Sequence, residues 1–296
     1  MTAQAEQTAQ PEQQKTTRPQ TPLAARPVTG ATRLFAVLGD PVAQVRAPEL
    51  MNPLFARLGL NAVLVPVHAR PRDLADVVRG LQRTANLDGL LIAAPHKAEA
   101  CRFADRLGEA AALSGSTNAM RRESDGSWSA DNFDGAGFVE GLLAARYPPA
   151  GRQAALVGTG GAGAAVAAAL LTAGVARLAL YDREPARLGA LLDRLRERFP
   201  GRVCAGADVD LERADLAVNA TPLGPCPDDP LPFAPRRLRR GCLVADIVMK
   251  PRETPLLRAA AAAGHPVHHG HHMLDHQIPL YRDFFRLDDR IPAPIR

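Results

Sequence analysis

A glycine-rich loop past the middle of the chain places the strongest constraint on the fold: it reads Gly158-Thr159-Gly160-Gly161-Ala162-Gly163. The short apolar run 153–157 precedes it, and the alanine-rich stretch 164–173 follows it. This order predicts a strand, a G-x-G-x-x-G turn and a helix whose N-terminus presents free N–H groups to a pyrophosphate. The residues predicted to bind a dinucleotide in this loop are Gly158, Gly160, Gly161, Ala162 and Gly163.

An acidic residue stands where the next strand of such a domain would end. The apolar run 178–181 leads into Asp182, in the position where a carboxylate accepts hydrogen bonds from the adenosine ribose. That carboxylate would repel the 2′-phosphate of NADP, and Glu184 adds a second negative charge. Arg183 favours NADP instead, since a guanidinium there can bind this phosphate. Arg187 follows one helical turn later. The expected cofactor is therefore NAD or NADP, with NAD favoured.

Composition and charge narrow the classes of protein that fit. The 296 residues are 46% hydrophobic, enough for two medium-sized cores, and the net charge of +5 comes from dispersed arginines rather than a basic block. We therefore expect a small-molecule substrate and no nucleic-acid partner. No apolar run is long enough for a bilayer, and the Gln/Thr/Pro-rich start lacks the apolar core of a signal peptide, so we expect no membrane association.

The cysteines and the first residues add two further expectations. The four cysteines are irregularly spaced, without a C-x-x-C pair or a dense disulfide framework, which favours a reducing cytoplasm. Residues 1–30 are predicted to be a disordered tail. The sequence leaves a monomer or a homodimer equally open.

From residue 33 apolar strands alternate with amphipathic helices, which predicts an α/β unit that precedes the dinucleotide-binding unit. The predicted strands are 34–39, 62–67 and 89–94, and the predicted helices are 48–58, 73–82 and 98–113. Further strands are predicted at 216–220 and 243–247. The chain should thus hold two α/β domains with a cleft between them.

The order of the polar motifs resembles the shikimate dehydrogenase family from about residue 33 to 285. The segments that carry the resemblance are Gly39-Asp40-Pro41-Val42 with Pro48 and Asn52, Pro95-His96-Lys97, Gly115-Ser116-Thr117-Asn118, Asn132-Phe133-Asp134-Gly135-Ala136-Gly137-Phe138, the glycine loop, Asn219-Ala220-Thr221-Pro222-Leu223-Gly224, Asp246 with Pro251, Thr254, Pro255 and Leu256, and Gly270-His271-His272-Met273-Leu274 with Gln277.

The resemblance implies two α/β domains. Residues 31–134 and 271–296 would form a substrate-binding catalytic domain with a mixed or parallel sheet, to which the last helix returns. Residues 135–270 would form a Rossmann-type NAD(P)-binding domain.

The resemblance also implies roles for single residues. Lys97 and Asp134 would face the reacting hydroxyl or ketone, where a lysine beside a carboxylate can donate the proton that reduction of a ketone requires. Asn118, Asn132 and Gln277 match substrate-binding positions. Thr221 and Gly270 match segments that approach the cofactor.

The sequence departs from the family's motifs at several positions that bind the substrate in the family. A Ser-x-Ser pair that holds the substrate carboxylate in the family is replaced by Val45 and Ala47. Arg46 between them either supplies the anion contact instead or is a solvated loop arginine, and the sequence leaves both interpretations open. The other polar positions that are lost in the same region are occupied by Leu91, Ala93, Phe133 and Met249. These replacements suggest a changed substrate.

Six histidines between residues 265 and 276 suggest a metal site, with His272 and His276 four residues apart. We expect none, because no carboxylate or cysteine completes a convincing ligand set in the sequence.

The sequence therefore predicts an NAD(P)-dependent oxidoreductase that transfers a hydride reversibly between nicotinamide and a ring such as shikimate or quinate. Two alternatives stay open: an enzyme for a related non-shikimate ring compound, and a dinucleotide-binding sensor without efficient turnover.

Overall fold

Two six-stranded sheets organise the chain in the computed structural model, which describes residues 27–290. The predicted tail over residues 1–30 lies outside the described residues up to position 26. Within 27–290, no helix combines the length and the apolar character that a bilayer crossing requires.

The first sheet is mixed. Its strands are β1 (Arg33–Gly39), β2 (Ala62–His68), β3 (Leu87–Ile92), β4 (Arg106–Leu107), β5 (Ala119–Arg122) and β6 (Trp128–Asp131). The strand order is β2-β1-β3-β5-β6-β4, and β1 runs parallel to β2 and β3. β5 is antiparallel to both β3 and β6. The helices of this half are α1 (Ala47–Arg57), α2 (Leu74–Gln82) and α3 (Glu109–Ser114).

The predicted helix over residues 98–113 is wrong. A 3-10 turn over Glu99–Phe103, strand β4 and helix α3 occupy this region instead. Gly108 adopts an extended conformation before α3, and the Asp131 carboxylate of β6 lies against it and accepts a hydrogen bond from the Ala111 N–H at 2.9 Å. The helix start is thus set by a partner that comes from a distant part of the chain.

The second sheet is entirely parallel. Its strands are β7 (Gln153–Val157), β8 (Arg177–Tyr181), β9 (Val203–Ala205), β10 (Leu216–Asn219), β11 (Leu243–Asp246) and β12 (Val267–His268), in the order β12-β11-β10-β7-β8-β9. The order reverses between β7 and β10, where open α/β sheets bind ligands beyond the carboxyl ends of their strands. This arrangement confirms the predicted Rossmann-type half.

Helices connect these strands and return to the first sheet. They are α4 (Asp134–Ala144), α5 (Gly161–Thr172), α6 (Pro185–Arg198), α7 (Asp208–Arg213), α8 (Pro255–Ala262), α9 (His271–Asp275) and α10 (Gln277–Phe284). Phe285, directly after α10, is fully buried and packs edge-on against Phe35 of β1 with ring centroids 5.2 Å apart. The prediction that the last helix returns to the first half is therefore confirmed, while the exact domain boundaries stay predictions.

Two glycines of α4 allow unusually close helix packing. A Cβ on Gly135 would collide with the carbonyl oxygen of Ala165 in α5, and one on Gly137 would collide with that of Met273 in α9. Helix α4 begins at Asp134, and α5 begins in the glycine loop. This packing ties the position of Asp134 to that of the loop.

The contact between β3 and the C-terminal segment gives a test of the fold. A Cβ on Gly89 would collide with the Phe285 ring, so Gly89→Ala should lower the free energy of unfolding by about 1–3 kcal/mol. Gly80→Ala is the matched control, because Gly80 lies inside α2 with open space around it, and it should raise stability by about 0.5–1 kcal/mol. Urea unfolding of both variants measures the difference, and equal shifts would contradict this packing.

Candidate active site

Lys97 and Asp134 form an ion pair between their Nζ and Oδ2 atoms at the centre of the site. Lys97 lies in the loop after β3, and its backbone carbonyl accepts a hydrogen bond from the Thr117 N–H at 2.8 Å. The Asp134 side chain is only 3% exposed and that of Lys97 14% exposed. The structure thus brings together the two residues that the sequence paired, in a position largely shielded from solvent.

The second oxygen of the Asp134 carboxylate is held by two amides. Asn118 Nδ2 donates to Asp134 Oδ1 at 3.0 Å, and Gln277 Nε2 donates to the same oxygen at 3.3 Å. Lys97, Asn118 and Gln277 come from three separate segments of the chain. The carboxylate is therefore fixed in orientation before any ligand binds.

Asn132 and Asn118 also shape the turn that leads into α4. Asn132 Oδ1 accepts from the Asp134 N–H at 3.0 Å, and its Nδ2 donates to Ser116 Oγ at 2.9 Å. Asn118 Oδ1 accepts from the Phe133 N–H at 2.9 Å. Asn118, Asn132 and Gln277 are all buried beside the ion pair, and their predicted contacts with substrate stay predictions.

Sequence reasoning missed Tyr281. Its hydroxyl donates to Gln277 Oε1 at 2.6 Å and accepts from Asn118 Nδ2 at 3.0 Å. Burial, together with the nearby charge of Asp134, raises the pKa of Tyr281 well above its usual value, so the phenol stays a hydrogen-bond donor. The sequence contains one signal for this residue. Tyr281 follows Gln277 by four residues, a spacing that places both side chains on the same face of a helix.

The glycine loop lies directly against this cluster. A Cβ on Gly161 would lie 2.5 Å from the Cβ of Lys97, and Ser116 Oγ donates to the Gly161 carbonyl at 2.7 Å. Gly163 packs against the Gly158 carbonyl within the loop, whereas the space beside Gly160 is open. Gly161 and Gly163 thus permit close packing, and Gly160 is the glycine that leaves room for a ligand.

A cavity of about 490 Å³ opens beside the loop, at the switch point of the second sheet. Its lining includes Gly158, Gly160, Asp182, Arg183 and Thr221 from the predicted cofactor-binding set. Gly161, Ala162, Gly163 and Gly270 are not among its lining residues. Gly270 packs instead against the backbone of Val248, so close approach of two chain segments accounts for the glycine there.

Asp182 is the acidic side chain of this cavity, which Arg183 and Arg187 also line. Arg187 Nη2 lies 2.6 Å from Asp182 Oδ1, and Thr159 donates to Oδ2 through both its N–H and its hydroxyl, each at 2.6 Å. Burial alone would raise the pKa of Asp182, but the hydrogen bonds from Arg187 and Thr159 outweigh it and hold the pKa well below the usual range. Arg183 is exposed and has no ion pair within residues 27–290.

The cavity suits a dinucleotide. It lies at the N-terminal end of α5, the space beside Gly160 is open, and the Asp182 carboxylate lines it. These are the groups that a pyrophosphate and an adenosine ribose require.

An apolar wall lies next to the ion pair on the substrate side. It joins the hydrophobic cluster of β1, α1 and α10, and its members are Val45, Ala47, Leu91, Ala93, Phe133 and Met249. Phe133 packs edge-on against Tyr281 with ring centroids 5.7 Å apart. The residues that replace polar ones in the sequence pattern are therefore joined in one continuous cluster.

Arg46 lies between Val45 and Ala47, two members of this wall. Its side chain is 22% exposed, and its Nε lies 4.0 Å from Glu49 Oε2, which is a long ion-pair distance. The guanidinium is thus only weakly engaged by the protein.

Comparison with known proteins agrees with this geometry. The family model of the shikimate dehydrogenase substrate binding domain matches residues 37–120. A shikimate dehydrogenase (NADP(+)) of Rubrobacter xylanophilus is 42% identical over 242 residues, which cover 80% of this chain and 84% of the relative.

Solved structures show the same architecture. The shikimate 5-dehydrogenase of Thermus thermophilus in complex with NADP(H) and shikimate is 29% identical with a TM-score of 0.76, and the match covers 89% of this chain and 96% of that one. The quinate dehydrogenase of Corynebacterium glutamicum in complex with NAD is 28% identical with a TM-score of 0.75, over 86% and 93% of the two chains.

Proposed function

Because this chain belongs to the shikimate dehydrogenase family, we propose that it transfers a hydride reversibly between a nicotinamide dinucleotide and a ring carbon that carries a hydroxyl or ketone. The proposed substrates are polyhydroxylated rings of the shikimate and quinate type. The observation that carries the proposal is the shielded Lys97–Asp134 pair in direct contact with the glycine loop.

The residues divide the work of the reaction. Gly158, Gly160, Asp182 and Thr221 would hold a dinucleotide, which would supply the hydride donor or acceptor. Lys97 holds a proton on Nζ next to the reacting oxygen, and its ion pair with Asp134 orients this ammonium group. In the reduction direction Lys97 donates that proton to the forming alkoxide, and in oxidation it accepts the hydroxyl proton.

The surroundings of the pair favour this proton transfer. Asn118 and Gln277 occupy the other oxygen of Asp134, so the carboxylate cannot turn away from Lys97. Low exposure keeps bulk water from competing for the proton and strengthens the charge interaction. In this scheme Lys97 transfers the proton and Asp134 orients the lysine, while a bound dinucleotide would exchange the hydride.

Replacement of the lysine tests this assignment. Lys97→Met should lower kcat/KM for shikimate or quinate by about 10²–10⁴-fold while the Kd for the dinucleotide stays within about threefold of wild type. Lys250→Met is the matched control, because Lys250 is exposed, and should behave as wild type. Steady-state oxidation rates together with fluorescence titration of NADH and NADPH separate the two effects.

Three results would contradict parts of the proposal. Full turnover in Lys97→Met would remove the lysine from the chemistry. Absence of turnover in the wild-type protein, with dinucleotide binding intact, would leave the divergent-substrate and sensor alternatives. Absence of dinucleotide binding would overturn the cofactor assignment itself.

Arg46 is the proposed contact for a carboxylate on the substrate ring. The apolar side chains at positions 45 and 47 offer no donor to an anion, and a buried carboxylate without a donor would bind poorly. Arg46 stands between them with a weakly engaged guanidinium. This makes it the group that can compensate for the lost hydroxyls.

Arg46→Ala should therefore raise KM for a carboxylate-bearing ring by about tenfold, the effect of one charge-assisted hydrogen bond, and leave kcat nearly unchanged. Arg57→Ala, an exposed arginine in the last turn of α1, is the matched control and should leave KM unchanged. An unchanged KM in Arg46→Ala would show that the carboxylate is bound elsewhere or that the substrate has none.

The dinucleotide preference rests on two neighbouring side chains. Asp182 lines the cavity as an anion and disfavours a 2′-phosphate, which supports a preference for NAD. Arg183 lines the same cavity and is available to a phosphate because Arg187 is the arginine that pairs with Asp182.

We expect a lower Kd for NADH than for NADPH. Asp182→Asn should lower the Kd for NADPH by about tenfold, and Arg183→Ala should raise it by a similar factor with little effect on NADH. Titration of both dinucleotides into each variant measures this. A wild-type preference for NADPH that disappears in Arg183→Ala would show that the arginine dominates.

The compartment that we propose is the cytoplasm. All four cysteines are free, and burial raises the pKa of the Cys242 thiol to about 12, so this group is unreactive at neutral pH. Free thiols of this kind are typical of a reducing compartment.

A further inference from the structure

Six of the eight histidines lie between residues 265 and 276, and the structure separates those with a partner from those without. His265 Nε2 lies 3.0 Å from the Pro235 carbonyl oxygen, and His269 Nε2 lies 2.6 Å from Glu253 Oε1. These two imidazoles are already engaged by the protein. The imidazoles of α9 itself are those of His271 and His272.

His271 and His272 converge with a carboxylate on the same short helix. Their ring centroids lie 4.0 Å apart, and Asp275 follows them by four and three residues. One ligand atom from each of His271, His272 and Asp275 lies within 4.8 Å of those of the other two. In a tetrahedral zinc site, neighbouring ligand atoms are about 3.4 Å apart, so small side-chain rotations close the set.

One of these three residues has a buried nitrogen without a partner among the described residues, and so does a neighbouring histidine outside the set. Nδ1 of His271 and Nε2 of His268 are both buried without a hydrogen-bond partner within residues 27–290. His268 is only 3% exposed, and its ring stacks on that of His272 with centroids 4.9 Å apart. Buried polar atoms normally have partners, and coordination of an ion is one way in which an imidazole nitrogen is satisfied.

We propose that His271, His272 and Asp275 bind a divalent first-row transition metal ion, with Zn²⁺ as the best match and water in the remaining positions. Two imidazoles and one carboxylate are a ligand set that Zn²⁺ and its neighbours in the series accept. No metal was expected from the sequence, because no carboxylate or cysteine completed a convincing ligand set there. Asp275 supplies the carboxylate through the helical spacing.

The ion would act on the structure rather than on the reaction. His272 packs against Gly141 of α4, where a Cβ would lie 3.1 Å from the His272 Cβ, and α10 with Gln277 begins two residues after Asp275. A metal that joins both ends of α9 would hold the turn that positions Gln277. Lys97 and Asp134 lie outside the ligand set, so binding does not depend on the proposed catalytic activity.

Titration of Zn²⁺ and Co²⁺ into the metal-free full-length protein tests the site. Calorimetry should show one Zn²⁺ per chain, Co²⁺ should give visible absorption bands, and Zn²⁺ at about 100 times its Kd should raise Tm by about 5 °C. Lys97→Met protein should bind Zn²⁺ as wild type does, which keeps this result separate from that of the proposed function.

The decisive variant is Asp275→Asn, which is nearly isosteric and lies at an exposed position. It should weaken Zn²⁺ binding by at least about tenfold, as should His271→Gln. His269→Gln removes a neighbouring histidine outside the set and should bind within about threefold of wild type. Absence of binding in the wild type, wild-type affinity in Asp275→Asn, or an equal loss in His269→Gln would overturn the site.

Discussion

The buried carboxylate of Asp134 is the group on which the rest of the structure depends. A carboxylate that is 3% exposed is stable only when its oxygens have partners, and here the partners are Lys97, Asn118 and Gln277. They come from the loop after β3, from the residue before β5 and from α10. Satisfying one charge therefore requires that three distant segments meet, which couples the completion of the fold to the completion of the site.

The same helix that carries this carboxylate also carries the connection to the cofactor cavity. Gly135 and Gly137 let α4 approach α5 and α9 at backbone distance, and Gly161 at the start of α5 rests on Lys97. A shift of the glycine loop would therefore displace Lys97, the proposed proton donor, as well. These positions require glycine, because a Cβ at any of them would collide with the neighbouring segment and push it away.

The apolar side chains that stand in place of the family's polar ones form one cluster, and the Lys97–Asp134 pair beside Phe133 is intact. Val45, Ala93 and Phe133 are part of the hydrophobic cluster around Tyr281, whose hydroxyl in turn belongs to the polar network of Asp134. The apolar wall thus packs against a member of the polar network that holds Asp134. The replacement of polar groups there leaves the Lys97–Asp134 pair in place.

The sequence by itself determined the two α/β halves, the glycine loop and the acid at position 182, because each depends on local periodicity or on a motif whose order along the chain is informative. The Lys97–Asp134 pairing followed from the resemblance of the polar motifs to the shikimate dehydrogenase family. Only the tertiary structure decided the partners. Asp131 starts α3 where the pattern predicted one long helix, Thr159 holds Asp182, and Asn118 brings Tyr281 into the Asp134 network. Hydrogen bonds between residues far apart in sequence leave no periodic signal, since they form only after strands and helices have packed.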